Sequence, residues 1–105
     1  EVYVSVEQMP QFPGGDKALL SYLHSSIHYP QIALENGIQG KVILKFVVNT
    51  DGSVGDITIL RGIDRSLDEE AIRVVKGMPK WSPGRQNGRV VRVYYTVPID
   101  FRISN

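Results

Sequence analysis

The clearest pattern in the chain is an apolar residue at every second position near its end. Between positions 91 and 103 the odd-numbered residues are all apolar, namely Val91, Val93, Tyr95, Val97, Ile99, Phe101 and Ile103. The even positions hold Arg92, Tyr94, Thr96, Pro98, Asp100 and Arg102. Successive side chains of a strand point to opposite faces, so the pattern predicts a long strand with one core face and one wet face.

A hairpin is predicted between residues 40 and 61, where two runs rich in β-branched residues flank Asp51-Gly52. Asp-Gly is a preferred two-residue hairpin turn. A turn of that length sets Phe46 opposite Ile57 and Leu44 opposite Ile59. The register predicts that these four side chains are buried together on one face, because a slip by one residue would turn them outward.

Two helices are predicted before the hairpin. Asp16 is expected to cap a helix that runs to about Ile27. Its apolar residues fall on one face of the helix, and they are Leu19, Leu20, Leu23 and Ile27. Pro30 suits the first position of a short second helix, and Asn36-Gly37 supplies its end.

A third helix is predicted between the hairpin and the last strand. Residues 66–69, Ser-Leu-Asp-Glu, match a capping box, and the helix is expected to run to about Lys76. Gly77 and Pro79 follow as stop signals. The predicted buried stripe of this helix is Leu67, Ala71, Val74, Val75 and Met78.

The order of elements predicts an α+β fold in two layers, with helices packed on one face of an antiparallel sheet. Its three main strands are expected in the order 2-1-3, which puts the last strand at an edge. Val2–Val6 alternate as well and leave an extra N-terminal strand open. Residues 1–15 are interpreted as an N-terminal extension and residues 16–105 as the domain.

Pro98 predicts which backbone groups of the last strand face outward. A proline in a central strand would remove a ladder bond, so it is best tolerated at an edge with its nitrogen pointing away from the sheet. The N–H and C=O of one residue point to the same side, and successive residues alternate. If no bulge intervenes, the groups of Arg92, Tyr94 and Thr96 face outward too.

Composition narrows the function classes. The chain has 105 residues, of which 42% are hydrophobic and 22% charged, which is typical of one globular domain. A net charge of +1 gives no indication of nucleic acid or a membrane surface as a partner. Without cysteine there is no disulfide framework, no thiolate metal site and no cysteine nucleophile. The first residue is Glu1 rather than methionine, so we expect a processed or excised part of a longer protein.

Residues that could carry chemistry are few. His24 and His28 are four positions apart on the predicted helix, a spacing that can hold a metal. No third ligand lies nearby in the sequence, so two surface histidines are favoured, and no metal or cofactor is expected. The acidic cluster between Asp64 and Glu70 lies at a helix start, where negative charge complements the helix dipole. The sequence therefore predicts a non-enzymatic domain.

Trp81 has two interpretations. It would be exposed beside the Ser82-Pro83-Gly84 turn if it anchored a ligand. It would be buried if it pinned the connection between the last helix and the last strand to the core. The structural interpretation is favoured.

Three stretches together resemble the TonB C-terminal domain family. Tyr29-Pro30, Ala33 and residues 37–42 resemble its "YP..A…G..G.V" opening, and residues 46–54 resemble its "F.V..DG.V" hairpin. Residues 78–84 resemble its "W...PG" motif, and its final strand is matched by Val93, Tyr95 and Phe101. In this order and spacing, over roughly residues 27–103, the resemblance is specific. Residues 9–15 look like a variant of the family, because shorter relatives lack them.

The resemblance implies a periplasmic domain of an energy transducer that is anchored to the inner membrane in its full-length form. The missing N-terminal part would couple to the proton-motive ExbB–ExbD complex. The domain would bind the Ton box, an extended segment near the N-terminus of TonB-dependent outer-membrane transporters, by strand addition. A homodimer stays open. The alternative is a docking or sensory module fused to another extracytoplasmic membrane protein, such as a membrane peptidase receptor.

The predicted partner-binding residues fall into two groups. An added strand would pair with the outward groups of the last strand, at Arg92, Tyr94, Thr96 and Pro98. The segment around the family's "YP" motif implies a secondary contact, at Ile27, His28 and Tyr29.

Overall fold

The alternating segment near the C-terminus forms the longest strand of the structure, a computed structural model that describes residues 1–104. The elements in chain order are β1 (Val2–Tyr3), α1 (Asp16–Ser26), α2 (Gln31–Glu35), β2 (Gly40–Val48), β3 (Val54–Arg61), α3 (Arg65–Lys76), β4 (Gly84–Gln86) and β5 (Arg89–Phe101). The predicted α+β class is confirmed.

The sheet has the strand order β1-β5-β2-β3, and β4 pairs with the start of β5. β2 runs antiparallel to both β3 and β5, so the three main strands have the predicted order. β1 runs parallel to β5, which makes the sheet mixed rather than wholly antiparallel. On the side of β5 away from β2, β1 lies beside Arg92 and Val93, and within residues 1–104 no strand lies beside β5 from Tyr94 onward.

β4 was missed by sequence reasoning. Three residues, Gly84–Gln86, are too few to show a period of two. They pair with β5 through the tight turn at Asn87-Gly88, where both residues have positive φ, 53° and 74°. Asn-Gly favours this left-handed hairpin turn. The Asn87-Gly88 dipeptide is itself a turn signal in the sequence, but the strand before it was not predicted.

The turn of the β2–β3 hairpin is one residue longer than predicted. The Asn49 N–H donates to the Ser53 carbonyl at 2.8 Å, and the Gly52 N–H donates to the Asn49 carbonyl at 2.9 Å. Gly52 has φ 86°, as the last residue of a three-residue loop often requires. At the end of the hairpin Val48 consequently faces Val54 and Val47 faces Gly55, one residue out of the predicted register.

An irregularity in β3 then restores the predicted pairing. The register shifts between Lys45 and Val47, so β3 places one extra residue opposite Phe46. That residue is Asp56, which has φ 48°. The predicted pairs Lys45–Thr58 and Leu44–Ile59 are confirmed beyond this bulge. Phe46 faces both Asp56 and Ile57 instead of the single predicted partner Ile57.

The core lies between the sheet and the helices. Leu44 and Phe46 are fully buried, while Ile57 and Ile59 are only half-buried against the same cluster. Trp81 is 3% exposed, and its ring centre lies 5.6 Å from that of Phe46. The structural interpretation of Trp81 is confirmed.

All three predicted helix starts are corrected. α2 begins at Gln31, and Pro30 is its N-cap in an extended conformation rather than its first helical residue. The N-cap of α1 is Gly15 without a side-chain bond, and Asp16 is the first helical residue rather than the cap. The N-cap of α3 is Asp64, whose carboxylate accepts from the Leu67 N–H at 3.1 Å. The Ser66 hydroxyl donates to the same carboxylate at 2.8 Å, so the proposed capping box lies two residues too late. Asp64 is the N-cap because it directly precedes Arg65, the first helical residue of α3.

The N-terminal extension packs against the body of the domain. Gln8 and Arg85 exchange backbone hydrogen bonds of 3.1 and 2.9 Å, and Gln11 does the same with Ser82. Phe12 is buried, with its ring edge-on to Trp81 at 5.6 Å. The division of the chain at residue 15 stays a prediction.

Candidate partner-binding edge

The backbone of β5 meets the condition on which its outward groups were predicted. Its pairing with β2 runs from Val93 to Phe101 without a register shift. Pro98 lies opposite Ile43 in this ladder, and its missing N–H leaves no gap there if its nitrogen points away from β2. The backbone groups of the even-numbered residues then face the side of β5 opposite β2.

That side of β5 is covered at one end only. β1 places Val2 beside Arg92 and Tyr3 beside Val93. Beyond Val93, no strand within residues 1–104 pairs with it. We call this stretch, the side of β5 away from β2 from Tyr94 to Phe101, the free edge. Of the predicted residues on β5, Tyr94, Thr96 and Pro98 lie along the free edge, and Arg92 lies beside β1.

The side chains at the start of β5 contact side chains on the face of the sheet opposite the helices, which we call the open face. The Arg92 guanidinium donates to Asn49 Oδ1 at 3.0 Å and to Asp56 Oδ2 at 3.1 Å. Lys45 Nζ lies 4.5 Å from the centre of the Tyr94 ring, within range of a cation–π contact. These contacts involve side chains only, so they do not occupy the outward backbone groups along the free edge.

The connector between α1 and α2 brings part of the secondary contact to the free edge. The Tyr29 ring packs edge-on against Phe101 with a centroid distance of 5.7 Å, and its hydroxyl donates to the Ile38 carbonyl. Burial, and then the charge of Asp64, raises the pKa of the Tyr29 phenol, which keeps its proton on this bond. Ile27 and Tyr29 line a groove of about 470 Å³ between α1 and the Pro98 end of β5.

His28 lies apart from that groove. Its backbone N–H donates to Glu70 Oε2 at 2.7 Å, and it borders a second depression together with Glu69 and Arg73. The structure therefore places Ile27 and Tyr29 next to the free edge and puts His28 on the side of α3.

Glu70 is the residue that sequence reasoning missed. It is 9% exposed and accepts hydrogen bonds from Arg73 at 2.7 and 2.8 Å. These bonds, more than the one from the His28 N–H, lower the pKa of Glu70 against the opposing effect of its burial. Arg73 also donates to the Ser26 carbonyl at 2.8 Å, so the pair holds the end of α1 and the connector against α3. A Glu–Arg pair at i,i+3 was visible in the sequence, but its bond to His28 was not.

A metal-binding cluster does not accompany these features in the described part of the chain. Within residues 1–104 no cluster of three or more His, Cys, Asp or Glu side chains is placed to hold a metal ion. None of the helices described above has the length and apolar character needed to cross a membrane. That the domain works without chemistry of its own stays a prediction.

A family model described as the C-terminal region of the Gram-negative bacterial TonB protein matches residues 25–103. The chain belongs to this family. The matched span includes the connector, the β2–β3 hairpin, α3 and β5, which are the elements that form and support the free edge.

Curated relatives agree with this assignment. Protein tonB2 of Pseudomonas aeruginosa is 32% identical over 87 residues, which cover 79% of this chain and 31% of that protein. Protein TonB of Helicobacter pylori strain J99 is 32% identical over 97 residues, which cover 88% of this chain and 33% of that protein. The chain thus spans about a third of the length of these relatives.

Solved structures share the fold. A solution structure of the Helicobacter pylori TonB C-terminal domain has a TM-score of 0.62 at 26% identity, covering 82% of this chain and 90% of that one. The Pseudomonas aeruginosa TonB C-terminal domain has a TM-score of 0.62 at 28% identity, covering 75% and 80%. The chain is a TonB-type periplasmic domain.

Proposed function

We propose that this TonB domain binds an extended segment of TonB-dependent outer-membrane transporters by strand addition at the free edge. The observation that carries the proposal is that, within residues 1–104, no strand lies beside β5 beyond Val93 on the side away from β2. An unpaired regular edge is an aggregation hazard unless it is blocked or used. Extended peptides are recognised at such edges through main-chain bonds.

The predicted residues take distinct roles in this proposal. Tyr94, Thr96 and Pro98 present the backbone groups of the free edge, and Arg92 presents further groups once β1 moves away. Ile27 and Tyr29 form the secondary contact from the groove. His28 contributes through its bond to Glu70, which holds the connector in place.

The expected affinity is weak. About five main-chain bonds at ~1 kcal/mol each give a gross gain of ~5 kcal/mol. Association itself costs several kcal/mol, so main-chain pairing by itself corresponds to millimolar binding or weaker. Tighter binding requires contacts from side chains.

The wider role is energy transduction without chemistry in this domain. In the proposal, a membrane-anchored N-terminal part of the full-length protein engages ExbB–ExbD in the inner membrane. This domain transmits the resulting pull to the bound transporter segment. Family membership and the length of the TonB relatives, about three times that of this chain, support this arrangement.

The experiment blocks single amides of β5 by semisynthesis. The probe is a set of synthetic peptides from the N-terminal segments of transporters encoded in the same genome. N-methylation at Thr96 should reduce peptide affinity about tenfold or more, the loss of more than one bond, with the circular dichroism spectrum unchanged. N-methylation at Val97 is the matched control, since its amide faces β2 and its loss should damage the sheet.

Hydrogen exchange gives a second readout on the unmodified chain. The amides of Thr96 and Asp100 should exchange freely in the free domain and become protected when a peptide binds. The proposal is wrong if a peptide binds the Thr96-methylated domain as tightly as the unmodified one, or if it protects amides of β3 instead.

A further inference from the structure

Helix α1 has more apolar surface than the domain covers. Leu19 and Leu23 are each 6% exposed, whereas Leu20 is 66% exposed, although all three were predicted to share one face. α3 lies over β2 and β3. α1 instead borders the β5 end of the sheet, where it lines the groove beside Pro98. The uncovered apolar side of α1 therefore faces the free edge.

The groove between α1 and β5 has an apolar floor and a polar rim. Its volume is about 470 Å³. Leu20 of α1 and Ile27 of the connector form one wall, and the buried side chains of Ile99 and Phe101 lie at its base. His24 and Arg102 stand at the rim. The groove can thus accept a large apolar side chain that enters from the free edge.

An added strand would direct every second side chain toward this groove. Odd-numbered residues of β5 such as Val97 and Ile99 are buried on the helix side of the sheet. Side chains directly opposite one another on neighbouring strands share a face. The peptide residue opposite Ile99 would therefore point at the groove, while its neighbours opposite Pro98 and Asp100 would point to the open face.

We propose that the groove is a specificity pocket for one large apolar side chain of the transporter segment, at the position opposite Ile99. Leu20 and Ile27 are its contact residues. This inference rests on the proposed function, because it requires a strand on the free edge. One extended segment then satisfies two neighbouring features at once, the unpaired backbone of β5 and the uncovered side of α1.

The test selects binders from a displayed library of random segments of about twelve residues, long enough to cover the free edge at ~3.4 Å per residue. The bait is the whole 105-residue chain. Selected segments should share one large apolar residue flanked by freely variable positions. Replacing that residue by serine should weaken binding about tenfold. Leu20→Asn should weaken the same segments to a similar extent and remove the apolar preference, and Leu20→Met, the matched control, should keep both.

The other possible outcomes distinguish failure of the pocket proposal from failure of the strand-addition proposal. If selected segments depend on the Thr96 amide but show no apolar preference, or bind Leu20→Asn unchanged, the pocket is wrong and the strand-addition proposal stands. If no segment is selected, or if the selected segments ignore N-methylation at Thr96, both proposals are wrong. If Leu20→Asn changes only self-association in sedimentation, the groove serves a second copy of the chain and the pocket is wrong. Leu20 is mostly exposed, so the substitution leaves the core intact.

Discussion

The two edges of the sheet are built differently. Along β3 the register against β2 shifts twice, between Ile43 and Leu44 and between Lys45 and Val47. Asp56 in β3 lies in the left-handed region with φ 48°, and its carboxylate is paired with Arg92. Along β5 the register against β2 has no shift from Val93 to Phe101.

This difference supports the proposal that the β5 edge, and not the β3 edge, binds the partner. A bulge bends a strand and leaves a residue unpaired, so another chain cannot pair with it regularly. Native sheets protect edges in this way. β3 is therefore protected by its own irregularity, whereas β5 is regular. Within residues 1–104 only the short β1, at Val2 and Tyr3, lies beside β5 on the side away from β2 from Arg92 onward. The sheet has one closed edge and one open edge.

The largest expected effect on stability comes from β2, the central strand that pairs with both β3 and β5. Phe46 in β2 is fully buried against Trp81 and Tyr95. Phe46→Ala should lower the free energy of unfolding by about 3–5 kcal/mol, because it removes a large buried side chain and leaves a cavity. Urea titration measures this. A loss below about 1 kcal/mol would contradict the central position of Phe46.

The next effect concerns the support of the open edge. Glu70→Ala leaves the His28 N–H without its acceptor and should lower the free energy of unfolding by about 1–3 kcal/mol. The control is Glu69→Ala, which removes only an exposed pair with Arg65 and should have little effect. Equal losses for the two variants would show that the connector does not depend on Glu70.

The same carboxylate predicts a pH dependence. The pKa of Glu70 in the folded state is lowered from 4.5, chiefly by the hydrogen bonds from Arg73. A lowered pKa stabilises the fold fully above the unfolded value, and this contribution is lost as the pH falls through the lower folded value. The stabilities of the native chain and of Glu70→Gln should therefore differ at neutral pH and converge in acid. A difference that stays constant from neutral pH into acid would contradict this.

A smaller effect is expected from β1, which competes for the open edge. Removing residues 1–6 frees the backbone groups beside Arg92 and leaves the anchors from Glu7 onward in place. Each bond regained by a bound peptide is worth ~1 kcal/mol, so affinity should rise about fivefold per bond. Replacing residues 1–6 by a Gly/Ser stretch of equal length is the matched control and should have the same effect. Titration calorimetry with the transporter peptides measures it, and weaker binding after removal would show that β1 assists the partner instead.

The smallest effect on stability is expected at the closed edge. Asp56→Gly keeps the bulge and relieves a left-handed residue, so the free energy of unfolding should change by less than about 1 kcal/mol. Deleting Asp56 removes the extra residue and leaves the flanking pairs with Val47 and Lys45 in place. The deletion should make β3 regular from Val54 to Ile59 and raise self-association in sedimentation, while Asp56→Gly should stay like the native chain. Equal behaviour of the two would show that the bulge does not protect this edge.

Predictions succeeded where a residue's role depended on its near neighbours in sequence. The period of two in β5, the end of α2 at Asn36-Gly37 and the buried stripe of α3 all follow from local spacing. The hairpin was right in its middle and wrong at its turn, because Asp51-Gly52 fits both a two-residue loop and the end of a three-residue loop. The bulge at Asp56 has no local signal, since Asp is also common in turns.

In the candidate site, too, features set by local sequence were predicted and features set by distant contacts were not. Pro98 predicts which backbone groups of β5 face outward, since a missing N–H is a local property, and the unshifted register against β2 meets the condition of that prediction. The partial cover at Arg92 was not predictable, because β1 is short and its partner lies far along the chain. The bond between Glu70 and His28 joins residues 42 positions apart, and the capping preferences of α3 say nothing about it.

By itself, the sequence determined which side of each strand and helix is apolar, and with it the α+β class, the central strand order and an edge at β5. Side-chain periodicity carries that information because the backbone geometry of strands and helices is regular. Only the tertiary structure decided how far the edge is open, which helix side stays uncovered beside it, and which edge is closed by a bulge. Those features depend on contacts between segments that are distant in sequence, where many pairings are locally equivalent and packing of the whole chain selects one.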